Sequence, residues 1–103
     1  MPRRLLTPVE EWLYESWRRR IRAVVQGIVR EWDHVQVQLD VDRAVPALIV
    51  SVTRGDLPSL IGHGGAHIRA IQALTQAWVG RHGLPLAVIV NKPTNNRGQE
   101  MAG

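Results

Sequence analysis

Three glycines fall within four residues in Ile61-Gly62-His63-Gly64-Gly65, and no regular element can carry that spacing through its interior. Each glycine inside a helix costs roughly 1 kcal/mol relative to alanine. Helical apolar spacing nevertheless resumes immediately downstream, at Ile68, Ile71, Ala73, Leu74, Ala77 and Trp78. Upstream, Asp56-Leu57-Pro58-Ser59 reads as a helix start, with Asp56 as its cap. The chain is therefore expected to form two helices joined by a very tight glycine turn. Such a turn lets another backbone approach closely, and it directs amide N–H groups outward, an arrangement suited to a phosphate chain.

The sequence around this turn is organised as one unit. Thr7-Pro8-Val9-Glu10 is a capping box with proline in the first turn. Apolar residues at Leu13, Trp17, Ile21, Val24, Val25, Ile28 and Trp32 then predict a long helix, about 7–32. Arg19, Arg22 and Arg30 fall on its opposite face, flanked by Arg18 and Arg20. Trp17, Trp32 and Trp78 lie on apolar faces and are expected in the core; Trp12 lies off the centre of the stripe.

Val35 to Asp42 alternates apolar and polar residues, as a half-buried strand does. Ala47 to Thr53 reads as a second strand, antiparallel to the first across the short connection at Arg43-Ala44. The helix after the glycine turn runs to about Arg81, and Leu84 to Val90 reads as a last strand. The expectation is an α+β fold, α-β-β-α-α-β, with a three-stranded sheet packed on helices. Residues 1–6 form an N-terminal segment, 7–90 a single domain, and 91–103 a polar, flexible tail.

Charge favours an acidic partner. The net charge is +4, and every basic residue among the 13 except Lys92 is arginine, whose forked donors suit phosphate. Cysteine is absent, which excludes a disulfide framework and thiolate metal sites. The longest apolar run, Ala44 to Val50, is too short to cross a membrane. Met1 to Leu6 has no signal-like apolar core, so a cytoplasmic location is expected.

No catalytic constellation emerges. Alternation puts Asp40 and Asp42 on the solvent face of a strand, and Ser51 and Ser59 lack a defensible His/Asp arrangement. His63 and His67 are four apart, but His63 lies in the turn, so no metal or other cofactor is expected. The turn matches neither GxxxxGK[ST] nor GxGxxG. The protein is expected not to be an enzyme.

The order of elements, with Ile-Gly-x-x-Gly-x-x-Ile between the two central helices, resembles a KH domain of the type II, prokaryotic arrangement. Residues 35–90 cover its β-β-α-α-β portion, and Asp56 to Ile68 resembles the small stand-alone bacterial KH proteins. The resemblance implies a clamp for single-stranded RNA or DNA at Gly62, His63, Gly64 and Gly65. It further implies an apolar floor from Ile61 and Ile68, and an opposite wall from the last strand and the Arg81-His82-Gly83 loop.

His63 departs from the usual Lys or Arg of that clamp, and imidazole is largely neutral at pH 7. Weaker binding, tightening at mildly acid pH, is the expectation, with Arg69 one turn into the next helix as a compensating charge. Two alternatives remain at this level. One is a protein-interaction module on a KH scaffold with weak or no RNA binding, whose first helix docks a second copy or another protein such as a transcription or ribosome-assembly factor; the other is single-stranded DNA binding in the same groove.

Overall fold

The computed structural model describes residues 5–92. Helix α1 (Pro8–Gln26) opens with the expected box: the Thr7 hydroxyl accepts from the Glu10 N–H, and the Glu10 carboxylate accepts from the Thr7 N–H at 3.0 Å. Strands β1 (Gln36–Asp40) and β2 (Ala47–Ser51) follow, then helices α2 (Leu57–Ile61) and α3 (Ala66–His82), and strand β3 (Ala87–Val90). Short 3-10 turns occur at Trp32–His34, Arg54–Asp56 and His63–Gly65. This is the α+β architecture with a three-stranded sheet that the spacing predicts.

The sheet order is β1-β2-β3. β1 pairs antiparallel with β2, with Val37 opposite Val50 and Leu39 opposite Leu48. β3 pairs parallel with β2, with Leu48 opposite Val88 and Val50 opposite Val90. These register rows put Val37, Leu48, Val50 and Val88 in the core with Tyr14, Ile21 and Val25 of α1, Leu60 of α2, and Ile71 and Trp78 of α3. A parallel β2–β3 pair needs a crossover, and the α2–turn–α3 unit is that crossover. The glycine turn is thus suspended between two strands that the core holds in register.

Several elements differ from the sequence expectation. α1 stops at Gln26 rather than near residue 32: the Ile28 N–H bonds the Val25 carbonyl three residues back, so the i→i−4 ladder tightens and ends there. Beyond it, the amides of Arg30 and Glu31 donate to the Asp56 carboxylate at 3.1 and 2.8 Å, so their bonds go to a distant loop instead of the previous turn. Trp32 consequently leaves the stripe and is exposed. The centre of the buried face of α1 is Tyr14, which apolar counting skips. Its hydroxyl donates to the Pro85 carbonyl at 2.8 Å, which lets a polar tip be buried with an apolar ring. The strands are trimmed to their paired residues, and Leu84 to Leu86 are buried or half-buried connection rather than strand. The tail expected at 91–103 lies outside the described residues from position 93 onward, as do residues 1–4 of the N-terminal segment.

Candidate nucleic-acid interface

Helix α2 has five residues, too few to persist alone. Burial of Leu60 anchors it, a contribution of about 2 kcal/mol. The Gly62 N–H closes α2 on the Pro58 carbonyl at 2.8 Å, and the Gly65 N–H then bonds the Gly62 carbonyl at 3.0 Å. Gly62 has φ +80° and ψ 170°, a region only glycine enters without strain. A Cβ there would lie 2.7 Å from the His67 ring and 2.8 Å from its backbone nitrogen. Gly64 also has positive φ, +60°, but a Cβ on it would meet nothing within 4 Å. The first glycine is therefore demanded by the fold, and Gly64 faces open space where another chain can approach.

Two side chains of α3 reach back over this turn. His67 Nδ1 lies 2.7 Å from the Ser59 carbonyl oxygen. Arg69 Nη1 donates to the Gly64 carbonyl, which holds the guanidinium at the turn. His63 and Gly64 are exposed at the tip, and Ile61 and Ile68 are half-buried beneath it, Ile68 packed against the core. The N-terminus of the 17-residue α3 adds the positive end of its dipole at the same place. The turn thus combines exposed backbone, a fixed cation and a favourable helix end, a set that attracts an anion. Of the residues singled out in the sequence, Ile61, Gly62, His63, Gly64, Gly65, Ile68 and Arg69 are brought together.

Arg81 is not. It lies 16 residues after Gly65, near the other end of α3, roughly 24 Å away along a helix rising about 1.5 Å per residue. It lines a separate groove with α1 instead. The arginine cluster of α1 is also divided. Arg18 donates to Glu15 and to the Val37 carbonyl at 3.1 Å, and is thereby committed internally. Its hydrogen bond holds the Glu15 carboxyl down at about 2, against the burial that raises it. Arg19, bonded to the same carboxylate, and Arg20 and Arg22 are exposed.

Asp56 is the other correction. It makes no side-chain cap for α2, since its own backbone is already helical. Its buried carboxylate instead receives the Glu31 and Arg30 amides and joins the segment after α1 to the start of α2. The Glu31 N–H holds this carboxyl below the usual range and outweighs burial, with the Arg30 N–H adding to it. Sequence spacing could not distinguish a local cap from a bond across 25 residues. His67, weighed only as a metal ligand, is likewise a tie between helices, and no sequence signal marks its carbonyl partner. Among the described residues no three His, Asp or Glu side chains gather as a metal ion requires, and no helix is long and apolar enough to cross a membrane.

A family model described as "KhpA/KhpB, KH domain" matches residues 18–90, which include β1 to β3, the glycine turn and the C-terminal half of α1. No curated protein and no solved structure matches the chain.

Proposed function

The chain belongs to the KhpA/KhpB KH-domain family, whose model spans more than two thirds of it, and from that premise we propose a non-enzymatic protein that grips single-stranded RNA by its backbone at Gly62–Gly65. KH domains bind nucleic acid, and the GxxG turn of the module clamps about four nucleotides. The observation that carries the reading is the Arg69 guanidinium held on the Gly64 carbonyl, beside an exposed His63 and a Gly64 that faces open space. Arg69 supplies the fixed charge that the turn itself lacks. Of its five N–H donors, one is engaged by Gly64, and the fork leaves others for a phosphate oxygen.

In this reading a strand lays successive phosphates on the turn. Its bases rest on the aliphatic surface of Ile61 and Ile68, where hydrogen bonds and apolar contact, rather than aromatic stacking, read them. The chain has no phenylalanine, and no aromatic residue other than histidine lies between Trp32 and Trp78, which agrees with this mode.

The test is a fluorescence-anisotropy titration of short single-stranded RNA and DNA with wild type and with His63→Asp/Gly64→Asp. Aspartate tolerates the left-handed backbone of Gly64 better than most residues, and its side chain enters empty space, so the fold is kept. A loss of at least about tenfold is expected from two like charges facing phosphate. Equal binding by both proteins would move the contact away from the turn. Equal affinity for RNA and DNA would replace RNA by single strands in general.

A further inference from the structure

Helix α1 has two apolar faces. One, with Tyr14, Ile21 and Val25, enters the core. The other, with Trp12, Leu13 and Trp17 and ending at Arg20, faces Leu74, Ala77 and Arg81 of α3 across an open groove of about 880 Å³. Positions 13, 16, 17 and 20, and positions 74, 77, 78 and 81, each follow i, i+3, i+4, i+7. Two helices present matched stripes to one cleft. Among the described residues nothing fills it: Trp12 is 68% exposed and Leu74 50% exposed.

The groove floor is braced. Trp17 donates its indole N–H to the Thr75 hydroxyl at 3.1 Å, and that hydroxyl donates to the Ile71 carbonyl at 2.9 Å. Trp17 stacks on Trp78 with centroids 6.1 Å apart, and Trp78 meets the His82 ring at 5.2 Å. A floor held this way loses little freedom on binding. The charged side chains lining the groove are Arg20 and Arg81, with His82 beside them, and no carboxylate lines it. Glu11 and Glu15 belong to a separate hollow next to Trp12, against Leu6 and Leu39.

We propose that the α1–α3 groove receives an amphipathic helix of a partner protein, with apolar residues seated around Trp12 and Leu74 and flanking carboxylates paired with Arg20 and Arg81. The helical occupant follows from the two i, i+3, i+4, i+7 stripes, which a third helix completes as it does other helix-in-groove sites. The acidic flanks follow from a rim whose fixed charges are all positive. A nucleic-acid strand would compete for the same arginines and the exposed Trp12 ring, so displacement of a bound peptide by RNA is one outcome of the test. This site stands apart from the glycine turn, and its partner does not depend on RNA.

The test uses the full chain and a display library of helical peptides with leucine fixed at i, i+3, i+4 and i+7 and all flanking positions randomised. Selected peptides should be enriched in Asp and Glu at the flanks. A synthetic selected peptide should blue-shift tryptophan emission, bind Leu74→Glu at least tenfold more weakly, and bind Arg20→Glu/Arg81→Glu more weakly than its lysine-flanked counterpart does. Circular dichroism confirms that these exposed substitutions leave the fold intact. Any of four results would overturn the proposal: no peptide enriched over the Leu74→Glu control; no preference for acidic flanks; displacement of the peptide by short RNA; or a homodimer that Leu74→Glu dissolves and that competes with the peptide.

Discussion

His67 Nδ1 lies 2.7 Å from the Ser59 carbonyl oxygen, so one hydrogen bond spans the whole glycine turn from α3 to α2. A carbonyl oxygen only accepts, and Nδ1 therefore carries the proton. The same ring occupies the space a side chain at position 62 would need. Histidine and glycine are thus fitted to each other, and the pair sets the angle at which the turn leaves α2.

Replacing His67 by leucine keeps bulk against Gly62 and removes the donor. The bond is exposed, so the Ser59 carbonyl can turn to water and the loss of stability should stay within about 1 kcal/mol. The effect on RNA affinity should be larger than that stability change alone implies, because the turn loses its fixed geometry. Urea unfolding together with anisotropy titration of the same variant measures both.

Gly62→Ala and Gly64→Ala should separate clearly. At Gly62 the backbone is one only glycine adopts, and a Cβ would strike the backbone nitrogen of His67, so a loss of about 3 kcal/mol or more is expected. At Gly64 the left-handed conformation costs roughly 1–2 kcal/mol and no contact is violated. Chemical denaturation of the two single variants checks the order; equal losses would mean that His67 moves aside freely.

Arg69→Gln removes the cation over the turn while preserving a donor for the Gly64 carbonyl. RNA affinity should fall several-fold. The slope of log affinity against log salt should fall in magnitude by about 0.7, as expected for one phosphate contact to a single strand. Titrations at a series of salt concentrations read this slope, and an unchanged slope would remove Arg69 from the phosphate contact.

Asp56→Asn tests the tie between the two ends of the fold. The folded-state carboxyl is held below its ordinary value by the Glu31 and Arg30 amides. Its ionised form therefore stabilises the protein fully above about pH 4, and that contribution fades as pH falls through the lower, folded-state value. The variant should melt several degrees below wild type at pH 7, with the two curves converging in strong acid. Thermal melts from pH 7 down to pH 2.5 follow the convergence.

Much of this was legible in the residues because the relevant physics is local. The Thr7–Glu10 box, the alternation in β1 and the glycine spacing act within a few positions, and each element appears where its own chemistry places it. Sites that required contact across the chain were misread. Asp56 has the sequence of a cap but bonds amides 25 and 26 residues earlier. Arg81 ends α3 where the periodicity predicts, but its place in a groove beside α1 leaves no mark in the spacing. Trp32 looked like a core residue by its place on the apolar stripe, yet it lies exposed.

The sequence by itself determined the kind of elements, their order and the position of the glycine turn, since periodicity, caps and backbone freedom are properties of neighbouring residues. The tertiary structure decided the parallel pairing of β3 with β2, the end of α1 at Gly27, the lock of His67 on Ser59 and the open groove between α1 and α3. Those depend on which surfaces meet once the core closes, and a hydrogen bond or an uncovered face between distant segments leaves no pattern in the spacing of residues.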